Sequence, residues 1–222
     1  MMREKALIFG KIEYLNLLPF HIFAKRYLSA REQQTMHYKR GVPSKINNDF
    51  AFHRVDAAFI SSIKAHNRRF VGLGIIANKE VRSVLIKPQS STINDQASAT
   101  SNVLSCVLGL QGEVIIGDAA LRYALTGGEK IDLAEVWHER TGLPFVFALL
   151  CYHRHTTKMQ KMAHAFGVGR VFIPQYLLLK ASKRSGIAPK DIIDYLQLIS
   201  YKVDHKALMS VKKFWKLSRA YR

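Results

Sequence analysis

The sequence predicts an α/β fold built from mixed, mostly parallel sheets flanked by helices. Two observations lead there. Short apolar runs of strand length alternate with amphipathic helical stretches from residue 6 to 153. The polar residues that break this alternation fall in strand-to-helix loops, where open α/β sheets hold their ligands.

ALIFGKI (6–12) reads as a first buried strand, followed by a helix over 17–28 with Pro19 in its first turn, where a missing N–H does no harm. Residues 41–63 read as a turn, a helix and the strand DAAFI (56–60), with Gly41-Val42-Pro43-Ser44 supplying the turn and an N-cap. RFVGLGII (69–76) and VRSVLIKP (81–88) are further strands, the second alternating Val81, Ser83 and Leu85 with Arg82, Val84 and Ile86. A polar loop (89–98) leads into the helix SATSNVLSCVLGL, and EVIIGDAALRYAL (113–125) is strand, Gly-Asp turn and helix. Residues 135–153 give a short helix, a Gly-Leu-Pro turn and a strongly apolar strand. Everything after about 172 reads as helical. One helix starts at Pro189 and Asp191 with Ile192, Leu196 and Ile199 on one face. A last helix sets Leu208, Val211 and Trp215 against Lys212, Lys216 and Arg219.

A chain of 222 residues accommodates one large domain or two lobes. No apolar run approaches the ~20 residues that span a bilayer. The N-terminal segment carries Lys11, Glu13 and Asn16 and makes a poor signal-peptide core, so a cytoplasmic location is expected. Cys106 and Cys151 make no disulfide framework, in keeping with a reducing compartment. The net charge of +18 attracts anions of every kind. Residues 171–222 contribute +8 of it, so the excess is spread along the chain. Basic and aromatic residues are not interleaved as in RNA-binding strands, and no nucleic-acid partner is expected.

Four polar spots occupy loops after strands: Asn16, Ser61, the hydroxyls of 98–101, and Asp118. Ser98-Ala99-Thr100-Ser101 places hydroxyls and free N–H groups at a helix start, which serves either as an ordinary cap or as a seat for a carboxylate or phosphate. Asp118 is either the N-cap of its helix or part of a site. Cys151, His153 and His155 share one face if the strand continues that far, but they lack a fourth ligand at a known spacing, so no metal is expected.

Taken in order, YLNLLPF (14–20), GVPSKIN (41–47), VDAAFISSI (55–63), RSVLI (82–86), ATS (99–101), IIGDAAL (115–121), TGLPFVFA (141–148) and SKRSGIAPKDIIDYLQLISYKV (182–203) span nearly the whole chain. This set resembles the chorismate dehydratase family of the futalosine route to menaquinone, a branch of the type II periplasmic-binding-protein fold. The resemblance implies two α/β lobes around a ligand cleft: lobe 1 from residues 1–84 and 172–222, lobe 2 from 85–171. Only about a dozen residues separate Thr100-Ser101 from VIIGD, so lobe 2 is expected to be shortened relative to other members. The resemblance also implies that chorismate, a small diacid, loses water to give 3-[(1-carboxyvinyl)oxy]benzoate, without a cofactor. It maps catalytic roles onto Asn16 and Ser83 and substrate binding onto Thr100 and Ser101; the loop positions add Ser61 and Asp118 to the binding set.

The chemistry suits these residue types. The proton to be removed is conjugated through a ring double bond with the ring carboxylate, so neutral donors around that carboxylate stabilise the charge spreading onto it. An amide such as Asn16 is no base but can orient the substrate and donate to the departing hydroxyl. The base is then expected to be the substrate's own side-chain carboxylate, with Asp118 as the protein alternative. The rival reading is a small-anion solute-binding protein without catalysis.

Overall fold

FVFALLCY, the most continuously apolar stretch, dictates the architecture, because a strand with two apolar faces needs cover on both. In the computed structural model, which describes residues 6–30, 33, 37–169 and 171–221, this stretch lies inside a six-stranded sheet. The sheet comprises β1 (Ile8–Lys11), β2 (His37–Arg40), β3 (Ala57–Ser61), β4 (Phe70–Ala77), β8 (Phe145–Tyr152) and β9 (Ile199–Lys202), in the order β2-β1-β3-β8-β4-β9. A second sheet holds β5 (Val84–Lys87), β6 (Glu113–Ile116) and β7 (Ile131–Asp132), in the order β6-β5-β7.

The sheets are mixed, but parallel pairing is the minority. β1 runs parallel to β2 and β3, whereas every other pairing between the described strands is antiparallel. The reason is the return of β8: the chain comes back from the small sheet and inserts between β3 and β4, running against both. β8 and the helix after it, Thr156–Val168, fall within the span 85–171 that the sequence reading gave to lobe 2. They nevertheless pack with the large sheet, the helix lying against β4.

Residues beyond 172 are not all helical. Helix Pro189–Gln197 stops short of Ile199, and Ile199–Lys202 pairs with β4 as an edge strand. Its Ile-Ser-Tyr-Lys alternation has the period of a strand, so Ile199 leaves the helical face, which buries Ile192 and Tyr195 instead. β2 and β7 were also not expected. β2 is mostly exposed and β7 has two residues, so neither carries an apolar signal.

The helices follow their apolar periodicity. α1 (Leu18–Tyr27) and α2 (Pro43–Ala51) cover the large sheet; α2 opens on Pro43, so Ser44 lies in its first turn and does not cap it. The four-residue α3 (Ser62–Ala65) follows β3 directly. α4 (Ala99–Val107), α5 (Gly117–Leu125) and α6 (Leu133–Thr141) accompany the small sheet, and α7 is Thr156–Val168. α8 (Gln175–Ser185), α9 (Pro189–Gln197) and α10 (His205–Leu217) complete the chain. One hydrophobic core runs beneath both sheets. At one end Phe20 meets Phe9, Phe59 and Phe166; at the other, Trp137 packs edge-on against Phe145 and Phe214 while its indole N–H donates to Ser210 (3.0 Å). Among the described residues no helix is long and apolar enough to cross a membrane.

Candidate functional site

A single Asn interrupts the buried run YLNLLPF because the backbone there is a 3-10 turn, Leu15–Leu17. The turn buries Leu15 and Leu17 and leaves Asn16 facing a cavity. The turn is pinned from both sides: the Leu15 N–H donates to Asp118 Oδ1 (3.0 Å), and the Asn16 carbonyl accepts from the Tyr201 hydroxyl (2.7 Å). Asn16 Oδ1 is buried and has no hydrogen-bond partner. An unpartnered buried amide oxygen costs about 1–3 kcal/mol, so it marks a place where a ligand is expected to complete the bonding.

The cavity has a volume of about 70 Å³ and lies between the two sheets, smaller than the ~300–1,000 Å³ of ordinary ligand pockets. Asn16, Ser61, Ser83, Thr100 and Ser101 all line it. Five of the six residues singled out from the sequence thus meet in one place. Their hydrogen bonds sort them into two kinds. Ser61 Oγ accepts from Asn47 Nδ2 (2.8 Å), while Asn47 Oδ1 takes the Ser61 N–H (3.1 Å). Ser83 Oγ accepts from the Tyr195 hydroxyl (2.9 Å), and Ser101 Oγ accepts from Ser98 Oγ (2.7 Å). Each of these three hydroxyls has its lone pair engaged and its proton left to give, and an accepted bond strengthens the bond it donates.

Thr100 is different. Its Oγ1 accepts a backbone N–H, that of Ile63 (3.2 Å), and meets Ser62 Oγ (3.4 Å), so its oxygen ties α4 to α3. Asp118 does not line the cavity, nor does it cap its helix, whose N-cap is Ile116. It bonds Leu15 and pairs with Arg184 (3.3 Å); burial raises its pKa, with the Leu15 N–H, Arg184 and Arg122 opposing.

Ser83 is held with particular care. Asp132, the N-cap of α6, also accepts the N–H groups of Val81 (2.9 Å) and Arg82 (2.7 Å), and Arg82 adopts a left-handed φ of 57°. The Ser83 carbonyl then accepts the Gly117 N–H (2.8 Å). Gly117 itself has φ of 64°, and a Cβ there would stand 2.9 Å from the Tyr14 ring, so only glycine fits beside that ring. Burial pushes the Tyr195 hydroxyl well above its ordinary range and Tyr14 up to about 12. Both stay protonated near neutrality, and Tyr195 remains a donor to Ser83.

No lining residue carries a formal charge. The cavity is nonetheless suited to anions, because α1, α2, α4 and α5 begin at it, through Leu17, Pro43, Ser98 and Gly117. Each helix start presents free N–H groups and roughly half a positive charge. Cys151, His153 and His155 do not share a strand face, since β8 ends at Tyr152. The Cys151 thiol is buried and pushed up to about 12, while the His153 ring stacks on Phe50 and bonds its carbonyl (2.8 Å).

Sequence reasoning missed Asn47, Tyr195 and Tyr201, which hold Ser61, Ser83 and the Asn16 turn, and Tyr14, whose ring walls the cavity beside Gly117. Asn47 lay in the quoted GVPSKIN and Tyr195 and Tyr201 in DIIDYLQLISYKV; a buried polar tip on an otherwise apolar face was their only signal.

Comparison with known proteins adds a second line of evidence. A family profile described as menaquinone biosynthesis matches residues 107–220. A chorismate dehydratase of Campylobacter jejuni is 43% identical over 219 residues, covering 96% of this chain and 98% of that protein. The short segment between Thr100 and the β6 strand therefore belongs to a chain of closely similar length. Among solved structures, a protein from Archaeoglobus fulgidus superposes with a TM-score of 0.72 at 11% identity, covering 99% of this chain and 98% of that one. The periplasmic aliphatic sulphonate binding protein of Escherichia coli gives 0.60 at 14% identity, over 99% of this chain and 88% of that one. At such identities these two speak for the fold alone, a periplasmic-binding-protein architecture.

Proposed function

Because this chain belongs to the chorismate dehydratase family of menaquinone biosynthesis, we propose that it acts as a carbon–oxygen lyase, converting chorismate to 3-[(1-carboxyvinyl)oxy]benzoate with loss of water. The observation that carries the site assignment is the convergence on one cavity of Ser61, Ser83 and Ser101, each with a hydroxyl proton left to give, and of Asn16, whose amide oxygen has no partner.

In this reading the hydroxyls of Ser61, Ser83 and Ser101, with the starts of α4 and α5, hold the substrate's carboxylates. As the ring proton leaves, charge spreads through the ring double bond onto the ring carboxylate. Donors aimed there gain strength in the transition state, which lowers the barrier. Asn16 donates through Nδ2 to the departing hydroxyl and accepts through Oδ1, orienting that group against the ring. No carboxylate or imidazole lines the cavity, so the proton passes to the substrate's own side-chain carboxylate and from there to the leaving hydroxide, giving water. Asp118, occupied by Leu15 and Arg184, is set aside as the base. A molecule of ten carbons needs more room than the present cavity, so its binding parts the two walls. Tyr195 and Asn47 act as positioning residues for Ser83 and Ser61.

Purified protein mixed with chorismate is expected to generate an aromatic absorbance and a product lighter by one water. Tight retention of unchanged chorismate, with neither signal, would overturn the enzyme reading in favour of a small-anion binding protein.

A further inference from the structure

A second cavity, about 600 Å³, lies between α1 and α8 and shares Tyr14 with the first. Its character is opposite. Lys11, Lys25, Arg26, Arg40, Lys180 and Arg184 line it, with Glu13 as the single carboxylate among the described residues. Glu13 answers Lys11 (3.1 Å) and Arg40 (3.9 Å), and Arg184 is engaged by Asp118 and the Glu13 carbonyl. Among the described residues Arg26 donates to the neutral Phe172 carbonyl (3.2 Å) and meets no carboxylate. Lys25 and Lys180 are exposed and pair with no carboxylate among the described residues. His21, on the groove floor, donates through Nε2 to the Ile12 carbonyl (2.8 Å); burial lowers its pKa to about 4, so it adds no charge near neutrality. Among the described residues the groove's positive charge thus comes from lysine and arginine.

We infer that this groove is an anion-collecting vestibule for the reaction cavity, drawing a small organic dianion toward Tyr14 before the uncharged donors take it over. The inference rests on the activity proposed above, which supplies the dianion. A cavity lined only by neutral groups attracts a carboxylate over hydrogen-bond distances, whereas unpaired cations act across about 10 Å at ordinary ionic strength. Low-dielectric walls around one sign of charge focus that field. The two cavities divide capture from chemistry, and Tyr14 is the wall they share.

The test compares two double variants that remove equal charge: Lys25→Gln/Lys180→Gln in the groove and Lys212→Gln/Lys216→Gln on the outer face of α10. Initial rates on chorismate are measured from low ionic strength to about 0.5 M salt, where the screening length falls to a few ångströms. Neutralising the groove is expected to lower kcat/KM about tenfold at low salt, flatten its salt dependence and leave kcat unchanged. The α10 variant is expected to track the unmodified protein. The vestibule is overturned by equal behaviour of the two variants, or by a kcat/KM of the unmodified protein that ignores salt. Absence of any turnover by the unmodified protein is a separate outcome: it overturns the activity itself, and the vestibule with it.

Discussion

The two cavities meet at one tyrosine and otherwise differ in kind. The smaller presents hydroxyls, an amide and helix starts without a formal charge; the larger presents, among the described residues, six cations against one carboxylate. The difference has a chemical reason. A lysine or arginine inside the reaction cavity would grip the substrate's carboxylates as tightly before reaction as during it, which tightens binding without speeding the step. It would also hold down the proton affinity of the side-chain carboxylate that must act as base. Neutral donors avoid both costs. The sharpest way to break this division is Asn16→Ala, which removes the cavity's amide and leaves the groove untouched. The expected loss in kcat is about a thousandfold, the scale of a preorganised donor at developing charge, with circular dichroism unchanged. Near-normal turnover in that variant would take Asn16 out of the mechanism.

The next largest effect belongs to the groove side and concerns stability. His21 is half-buried beneath the cations, and desolvation of its ring, with Lys11 and Arg184 adding to it, depresses its pKa from 6.5 to about 4 against the Ile12 carbonyl and Glu13. The unfolded chain therefore binds a proton that the fold refuses. The stabilisation is complete above pH 6.5 and is lost as pH falls from there through about 4. The full loss amounts to about 3 kcal/mol. Urea unfolding of the unmodified protein and of His21→Gln at pH 7.5 and pH 4 should show the variant losing less on acidification by about that amount. Parallel losses would mean that His21 titrates normally.

Much of this arrangement was legible before any coordinates. Asn16, Ser61 and Ser101 drew notice as small polar residues in loops that follow strands, where such a residue needs a partner; Ser83 came from the family resemblance and from no local signal. The alternation of strands and helices likewise gave the layers. What stayed hidden was long-range. That β8 returns into the large sheet cannot be read from its composition, since a doubly buried strand looks alike in either sheet. Nor does the pattern around Ile199 reveal a strand until β4 offers it an edge. Tyr195 reaches a residue 112 positions away and Tyr201 one 185 positions away, so no local spacing predicts either. Asp118 and Thr100 were picked by the same reasoning as Ser61 and Ser101. They differ in that Leu15 and Arg184 hold the Asp118 carboxylate, and the Thr100 oxygen takes the Ile63 N–H that ties its helix to α3.

That last distinction separates two hydroxyls on one helix. Thr100→Val keeps the shape and removes the oxygen that takes the buried Ile63 N–H, so it should cost about 1–3 kcal/mol of stability while leaving kcat within about twofold. Ser101→Ala should do the reverse, lowering kcat/KM by about tenfold with stability nearly unchanged, since a charge-assisted bond to a carboxylate is worth about 1.5–3 kcal/mol. Thermal melts and initial rates on the same two proteins decide it. If the kinetic losses fall on Thr100 instead, the sorting of donors into spent and spare is wrong.

The finest test concerns Tyr195, which never lines the cavity yet is buried with its hydroxyl on Ser83. As long as Tyr195 donates, the Ser83 proton must point elsewhere, and the cavity is the direction left open. Tyr195→Phe frees Ser83 to turn and spend its proton on a neighbouring acceptor, which weakens its aim without removing it. The expected fall in kcat is about three- to tenfold, of the order of 1 kcal/mol, and KM should move little because the lost alignment matters most as charge develops. Ser83→Ala should cost more, and adding Tyr195→Phe to it should cost almost nothing further, because the tyrosine acts only through that serine. Additive losses in the double variant would give Tyr195 a route to the substrate of its own, through Asn16, whose amide also faces the tyrosine oxygen.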